Sequence, residues 1–262
     1  MTELMPALFL GHGSPMNAVE SNAFSRAWIE MGRRLPRPRA ILCISAHWET
    51  AGTRITAMPL PDTLYDFYGF PSELYQLRYS APGDPVLARH IKETVADPVI
   101  HLDSGWGLDH GAWSVLRRMF PKADIPVLQL SLDFDRSPAF HYALGTRLEY
   151  LRSQGVLIVG SGNMVHNLRA MVWQDTAFDW AQAFDAALAE RIEARDPPSL
   201  IDYHSLGEGA KLAVPTNEHY LPLLYVMAVM QPSDRIEFFC DRVTLGSISM
   251  RSVLIGSEAD GV

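Results

Sequence analysis

Cysteine is almost absent: Cys43 and Cys240 are the only two in 262 residues. No disulfide framework is available beyond one bridge, and no cysteine pair has zinc-site spacing. Both thiols lie in apolar runs, AILCIS and IEFFCD, and are expected as buried, reduced residues of strands. A cytoplasmic location fits that expectation. Long hydrophobic runs are missing too, since no stretch approaches the roughly 18 apolar residues of a membrane span. The opening MTELMPALFLGHGSP has no basic segment and only a short apolar run, so no secretory signal is expected. No cluster of basic residues offsets the net charge of -8. No nucleic acid and no membrane surface is therefore expected as a partner. A G-x-S-x-G nucleophile elbow is lacking; Gly160-Ser161-Gly162-Asn163 follows a strand without that spacing. Neither cysteine has an evidently electropositive setting.

What is present is material for a core. Hydrophobic residues make up 48% and charged residues 20%, which favours one folded domain, 1–262, over a large disordered segment. Apolar runs read as strands at 7–10, 40–45, 99–102, 126–132, 155–160, 236–240 and 247–253. Amphipathic stretches read as helices at 23–34, 85–96, 113–120, 138–152, 180–195 and 219–230. This alternation predicts an α/β fold: a three-layer sandwich around a mostly parallel central sheet, in a single domain. In such sheets the ligand site lies beyond the carboxyl ends of the strands.

Histidines recur at those ends. His12 follows the first strand in LFLGHGSP, His47 the second in ILCISAHW, and His166 the strand GVLIVG in SGNMVHN. A lone histidine near a strand end is more often a hydrogen-bonded structural residue. Three such placements, on strand ends that share one sheet edge, point instead to convergent imidazoles and a metal such as zinc or iron. Phosphate binding by GHGS is the competing reading, but no G-x-G-x-x-G or Walker sequence accompanies it. His110 lies in the Gly- and Trp-rich stretch WGLDHGAW, read as a substrate loop or an Asx-stabilised turn. His219, in PTNEHYLPLL, stands at a helix start where Asn217 and Glu218 offer a plain cap as the alternative. His90, His101, His141 and His204 read as structural.

The motifs GHGSPMNA, SAHWET, GLDHGAW, GSGNMVHNLR and NEHYLPLLY, with FYGFP, Y-x-APGDP and GSISM, resemble one family across almost the whole chain. It is the DODA-type (4,5-DOPA dioxygenase-like) class III extradiol aromatic ring-opening dioxygenase family. That group also contains the catalytic subunit of protocatechuate 4,5-dioxygenase. The resemblance implies a single catalytic domain that opens a catechol, DOPA-like by family, with O2. One divalent metal per chain is implied, Fe(II) for activity and Zn(II) as purified. His12, His47 and His219 are implied as metal ligands. His166 is implied as catalytic acid/base or, with metal loaded, a fourth ligand. In the wider group the third ligand is a glutamate, so Glu218 competes with His219. His110 is implied to hydrogen-bond the substrate. Trp48 and Tyr220 are placed as aromatic flanks of the ring, with core packing as their alternative. Arg78, Arg169 and Arg251 are candidates for a substrate carboxylate. A zinc hydrolase on the same scaffold and a non-catalytic metal-binding protein are the rival readings. Oligomeric state is not legible.

Overall fold

The computed structural model describes residues 4–256, so the expected domain of 1–262 extends beyond them at both ends. The strands are β1 Ala7–Gly11, β2 Ala40–Thr50, β3 Thr53–Thr56, β4 Ile100–Asp103 and β5 Val127–Asp133, followed by β6 Val156–Gly162, β7 Arg235–Phe239, β8 Val243–Thr244, β9 Ile248–Ser249 and β10 Ser252–Gly256. The helices are α1 Ala23–Arg34, α2 Pro85–Val95, α3 His110–Met119, α4 Pro138–Thr146 and α5 Tyr150–Ser153, then α6 Asp179–Glu193, α7 Pro197–Ile201, α8 Ala210–Ala213 and α9 Leu221–Ala228.

Eight strands form one sheet in the order β4-β3-β5-β2-β6-β1-β10-β7. Its centre, β5-β2-β6-β1, is parallel throughout, and antiparallel neighbours flank it. Alternate residues of the central strands serve opposite faces. Leu42, Ile44, Leu128 and Ile158 face a core shared with α2, α4, α6 and α9. Ile41, Cys43, Val127 and Leu157 face a second core shared with α1 and α3. The expected three-layer α/β sandwich is therefore the observed one. Each fully buried Leu or Ile contributes about 1.5–3 kcal/mol relative to exposure, which is why these strands are apolar on both faces. Among the described residues no helix is long and apolar enough to cross a membrane.

Local sequence sets the helix starts. Asn22 and Ser25 form a reciprocal capping box on α1. Asp84 caps α2 just before Pro85.

Several expected boundaries move. β2 runs to Thr50 rather than ending at Ser45, so His47 lies inside the strand. β3 was not read, because its four residues, TRIT, hold a single apolar side chain. The expected 138–152 helix divides, because Arg147 and Leu148 bond back three residues, to Leu144 and Gly145, instead of four. The expected 247–253 strand divides at Met250, whose N–H turns to the Arg242 carbonyl at 2.8 Å. Cys43 is buried in β2, but Cys240 sits past β7, half-buried, at a φ of 54°. The IEFFC run had placed it inside the strand.

One buried ion pair ties the chain start to the far side of the fold. Arg152, fully buried, forks onto Asp234 at 2.6 and 2.9 Å and donates to the carbonyls of Met5 and Val229. Removing one partner strands a buried charge, at about 3–5 kcal/mol. Asp234→Ala is expected to lower Tm by on the order of 10 °C in calorimetry. A change within two degrees or so would mean that water reaches Arg152.

Candidate metal centre

His12, His47, His110, His166 and His219 form one cluster at the carboxyl edge of the parallel strands. His12 follows β1 directly. His47 sits where β2 loses register with β5: four residues separate Ile44 from Glu49, against one between their partners Leu130 and Leu132. Such a bulge re-aims side chains. His166 follows β6. His219 comes from the turn two residues before α9, where the sequence had placed it at the helix start. His110 opens α3 rather than lying in a loop, because Asp109 caps the helix by accepting the Ala112 N–H.

The rings of His12, His47 and His219 make a nearly equilateral triangle, with centroids 5.0, 5.3 and 5.1 Å apart. His166 stacks on His219 at 3.5 Å and 8°. His110 lies 3.9 Å from His47. Nitrogens of His12, His47 and His110 lie within 4.8 Å of one another, as do the candidate ligand atoms of His166, Glu218 and His219.

Hydrogen bonds fix three of the tautomers, those of His12, His110 and His219. Ser161 Oγ donates to the Gly111 carbonyl at 2.6 Å and lies 3.0 Å from His12 Nδ1. A hydroxyl has one proton, so Ser161 accepts from His12, whose proton is therefore on Nδ1. Asp66 accepts from the His110 backbone and from His110 Nδ1, both at 2.8 Å, and stands 3.3 Å from His47 Nδ1. Glu218 accepts from His219 Nδ1 at 3.0 Å and from the Thr216 hydroxyl at 3.0 Å through the same oxygen. The Nδ1 protons of His12, His110 and His219 each have an oxygen partner, which leaves their Nε2 atoms as bare acceptors, whereas His47 Nδ1 faces Asp66 without a hydrogen bond.

Nε2 of His47 approaches the bare Nε2 of His12 to 3.2 Å, the length of an N–H···N hydrogen bond when His47 carries its proton on Nε2. It is also the separation expected of two nitrogens that share one ion at about 2.0–2.1 Å each once that proton is displaced. The donor set thus fits a divalent metal, and imidazole suits zinc, iron, copper and nickel alike.

Electrostatics agrees. Burial, then the neighbouring imidazoles, holds His12 and His219 well below the ordinary histidine value. Burial and His110 also depress His47, against the pull of Asp66. Burial lowers His166 to about 4, with Glu218 pulling the other way. Asp66 is pushed up by burial, but its bonds to His110 outweigh that and leave it below the usual carboxylate value. Neutral imidazoles are the form that metals bind.

Backbone contact sets one further position. A Cβ on Gly162 would lie 2.1 Å from the His219 carbonyl oxygen, so only glycine lets β6 approach the His219 turn.

Other expected residues lie elsewhere. Trp48 is buried and stacks on Trp106 at 5.6 Å and 1°. Tyr220 is fully buried, packs on Tyr203, and donates to the Leu200 carbonyl. Among the described residues, neither ring packs on an imidazole of the cluster. His141, read as structural, is buried against the Tyr225 hydroxyl at 2.9 Å. Asp66 and Ser161 were not anticipated as partners of the site. Asp66 directly precedes FYGFP, and Ser161 had been weighed only as a nucleophile.

With this geometry in view, the sequence comparisons are specific. The family model described as the catalytic LigB subunit of aromatic ring-opening dioxygenase matches residues 6–247. The chain belongs to this LigB family. This LigB-family chain is 45% identical to the 4,5-DOPA dioxygenase extradiol of Escherichia coli K12, covering 96% of this chain and 95% of that protein. It is 39% identical to the 4,5-DOPA dioxygenase extradiol of Beta vulgaris, over 87% and 88% of the two chains. A crystal structure of an uncharacterised E. coli K12 protein superposes with a TM-score of 0.85 at 43% identity, covering 96% of this chain and 100% of that one.

Two outcomes test the centre. Ser161→Ala and Asp66→Asn are expected to weaken metal binding by about 10–100-fold in chelator competition, as loss of an orienting partner does; unchanged affinity would remove them from the site. The metal-free protein is expected to lose stability as pH falls from the ordinary histidine value of 6.5 towards about 4. In that window the unfolded chain binds more protons than the folded one, so acid favours unfolding. A Tm that stays flat between about pH 7 and 5 would contradict the buried neutral histidines.

Proposed function

We propose that this protein is an extradiol dioxygenase that opens a catechol with O2, using one divalent metal held by His12, His47 and His219. The observation that carries the reading is the convergence of three buried imidazoles in a LigB-family chain, with the Nε2 atoms of His12 and His47 3.2 Å apart. Glu218 then belongs behind His219, as the acceptor that orients it, rather than in the ligand set.

The metal, Fe(II) for turnover and Zn(II) as purified, would chelate both catechol oxygens and supply the electronic path between ring and O2. The remaining work falls to the chain. His166 is neutral at pH 7 and takes a hydroxyl proton from the catechol. Glu218 steadies the resulting imidazolium, while burial disfavours it, so the proton is readily returned to a product oxygen. His110 is anchored through Nδ1 on Asp66, which leaves Nε2 for a substrate oxygen. There it accepts a hydrogen bond from a substrate hydroxyl and holds that oxygen in place, with Asp66 fixing the ring. His12, His110 and His219 are nearly closed to water, whereas the His47 side chain is 20% exposed and marks the open side. Both oxygen atoms enter the product as the C–C bond beside the hydroxyls breaks. The reading includes a cytoplasmic setting, which the two unpaired thiols support.

A DOPA-like substrate is supported by the names of the relatives from E. coli and Beta vulgaris. Its carboxylate needs a cation. Arg251 is committed to Asp185 at 2.7 Å and stacks over Phe238. Arg78 sits beside the far end of α3. Arg169, exposed in the turn three residues past His166, is the candidate that remains.

The test is anaerobic Fe(II) loading followed by a catechol panel, with O2 uptake and visible absorbance recorded. Stoichiometric uptake with a yellow ring-opened product is expected. His12→Ala should lose metal and turnover together; His166→Ala should lose turnover and keep metal. No uptake with any catechol, despite one metal per chain, would overturn the reading. Arg169→Ala should raise KM for DOPA by about tenfold relative to a catechol without a carboxylate. An unchanged ratio would exclude Arg169.

A further inference from the structure

A groove of about 450 Å3 lies away from the histidines, lined by Ile29, Arg33, Arg78, Tyr79, Arg117, Arg118, Met119, Pro121 and Ala123. Four of these are arginines and none is acidic, in a chain of net charge -8. The nearby carboxylates do not neutralise it. Asp124 is held by Arg37 at 3.1 Å, and Glu30 meets only Arg33, at 3.6 Å with both side chains largely exposed. Such an exposed pair contributes little. Arg78 has no hydrogen bond or ion pair among the described residues. Arg117 and Arg118 are fixed from behind: they donate to the carbonyls of Ala18, Asn17 and Glu20, which cannot cancel their charge. Burial and then Arg117 depress Arg118, as expected of like charges left uncompensated.

We propose that this groove is a binding site for a small multivalent oxyanion, a phosphate ester or a dicarboxylate, distinct from the catalytic centre. Its volume suits a small metabolite, and guanidinium forks match phosphate and carboxylate oxygens. The site is separate but connected. α3 spans ten residues from His110 to Met119, or about 15 Å. Arg118 holds the Asn17 carbonyl, and the Asn17 side chain donates to the His12 carbonyl at 3.1 Å.

The test is calorimetric titration of the metal-loaded protein at low salt with inorganic phosphate and, separately, succinate. One saturable site per chain is expected for at least one of them. Arg33→Ala and Arg78→Ala should each weaken it by about tenfold. Arg89→Ala, which removes an equal charge from the exposed face of α2 on the other side of the sheet, should leave it unchanged. Arg78→Lys covers the case in which alanine perturbs folding: it keeps the charge, loses the fork, and should also bind more weakly. Absence of saturable binding by both probes would overturn the proposal. So would binding that the groove variants leave intact, which places the anion elsewhere, the metal included, or binding that Arg89→Ala weakens equally.

Discussion

The site depends on the approach of two buried imidazoles, His12 and His47, whose Nε2 atoms come within 3.2 Å, close enough to share one ion. The rest of the site follows from holding them there. Burial keeps the rings uncharged, and oxygen acceptors on the Nδ1 side keep the proton from the nitrogens that converge. Ser161 does this for His12, Glu218 for His219, and Asp66 for His110 while facing His47. Ser161 stands at the end of β6, but Asp66 and Glu218 come from chain outside the strands. The tautomers are thus a property of the whole fold rather than of any single loop.

The sheet explains why these groups can meet. Four adjacent parallel strands bring their carboxyl ends to one edge, and β6 lies between β1 and β2. Ser161 on β6 is paired with both Leu10 and Ser45, which places it beneath His12. Gly162 then lets the His219 turn come down onto the sheet. A buried polar set of Ser45, Asp109 and Gln129 fixes the start of α3, and with it His110 and the Gly111 carbonyl that orients Ser161. Asp109 is buried and pushed up by desolvation and by Asp66, against the bonds from Gln129 and Ser45. Cores of this kind hold only when every member has a partner.

Much of this was legible in the sequence, for physical reasons. α1 was read to its observed ends because its apolar period and caps are strong. β1, β5 and β6 were read because a strand buried on both faces is an unbroken apolar run. The histidines were legible because three of them follow or end such runs. What escaped were features set by tertiary contact. The bulge that carries His47 depends on the register with β5, which one strand cannot reveal. α3 starts three residues earlier than its apolar pattern because Asp109 caps it. Asp66 lies in irregular chain, 44 residues before its partner His110, and no periodicity marks it. Tyr220 carries an aromatic ring in a motif beside His219, yet its hydroxyl is taken up by the Leu200 carbonyl.

The central claim concerns where one ion sits, and anomalous diffraction from crystals of the metal-loaded protein, collected at the metal edge, reads it directly. The expected result is a single peak within bonding distance of the Nε2 atoms of His12, His47 and His219, with Glu218 on the far side of the His219 ring. A peak bound instead by Glu218 or by His110, or two separate peaks, would contradict it.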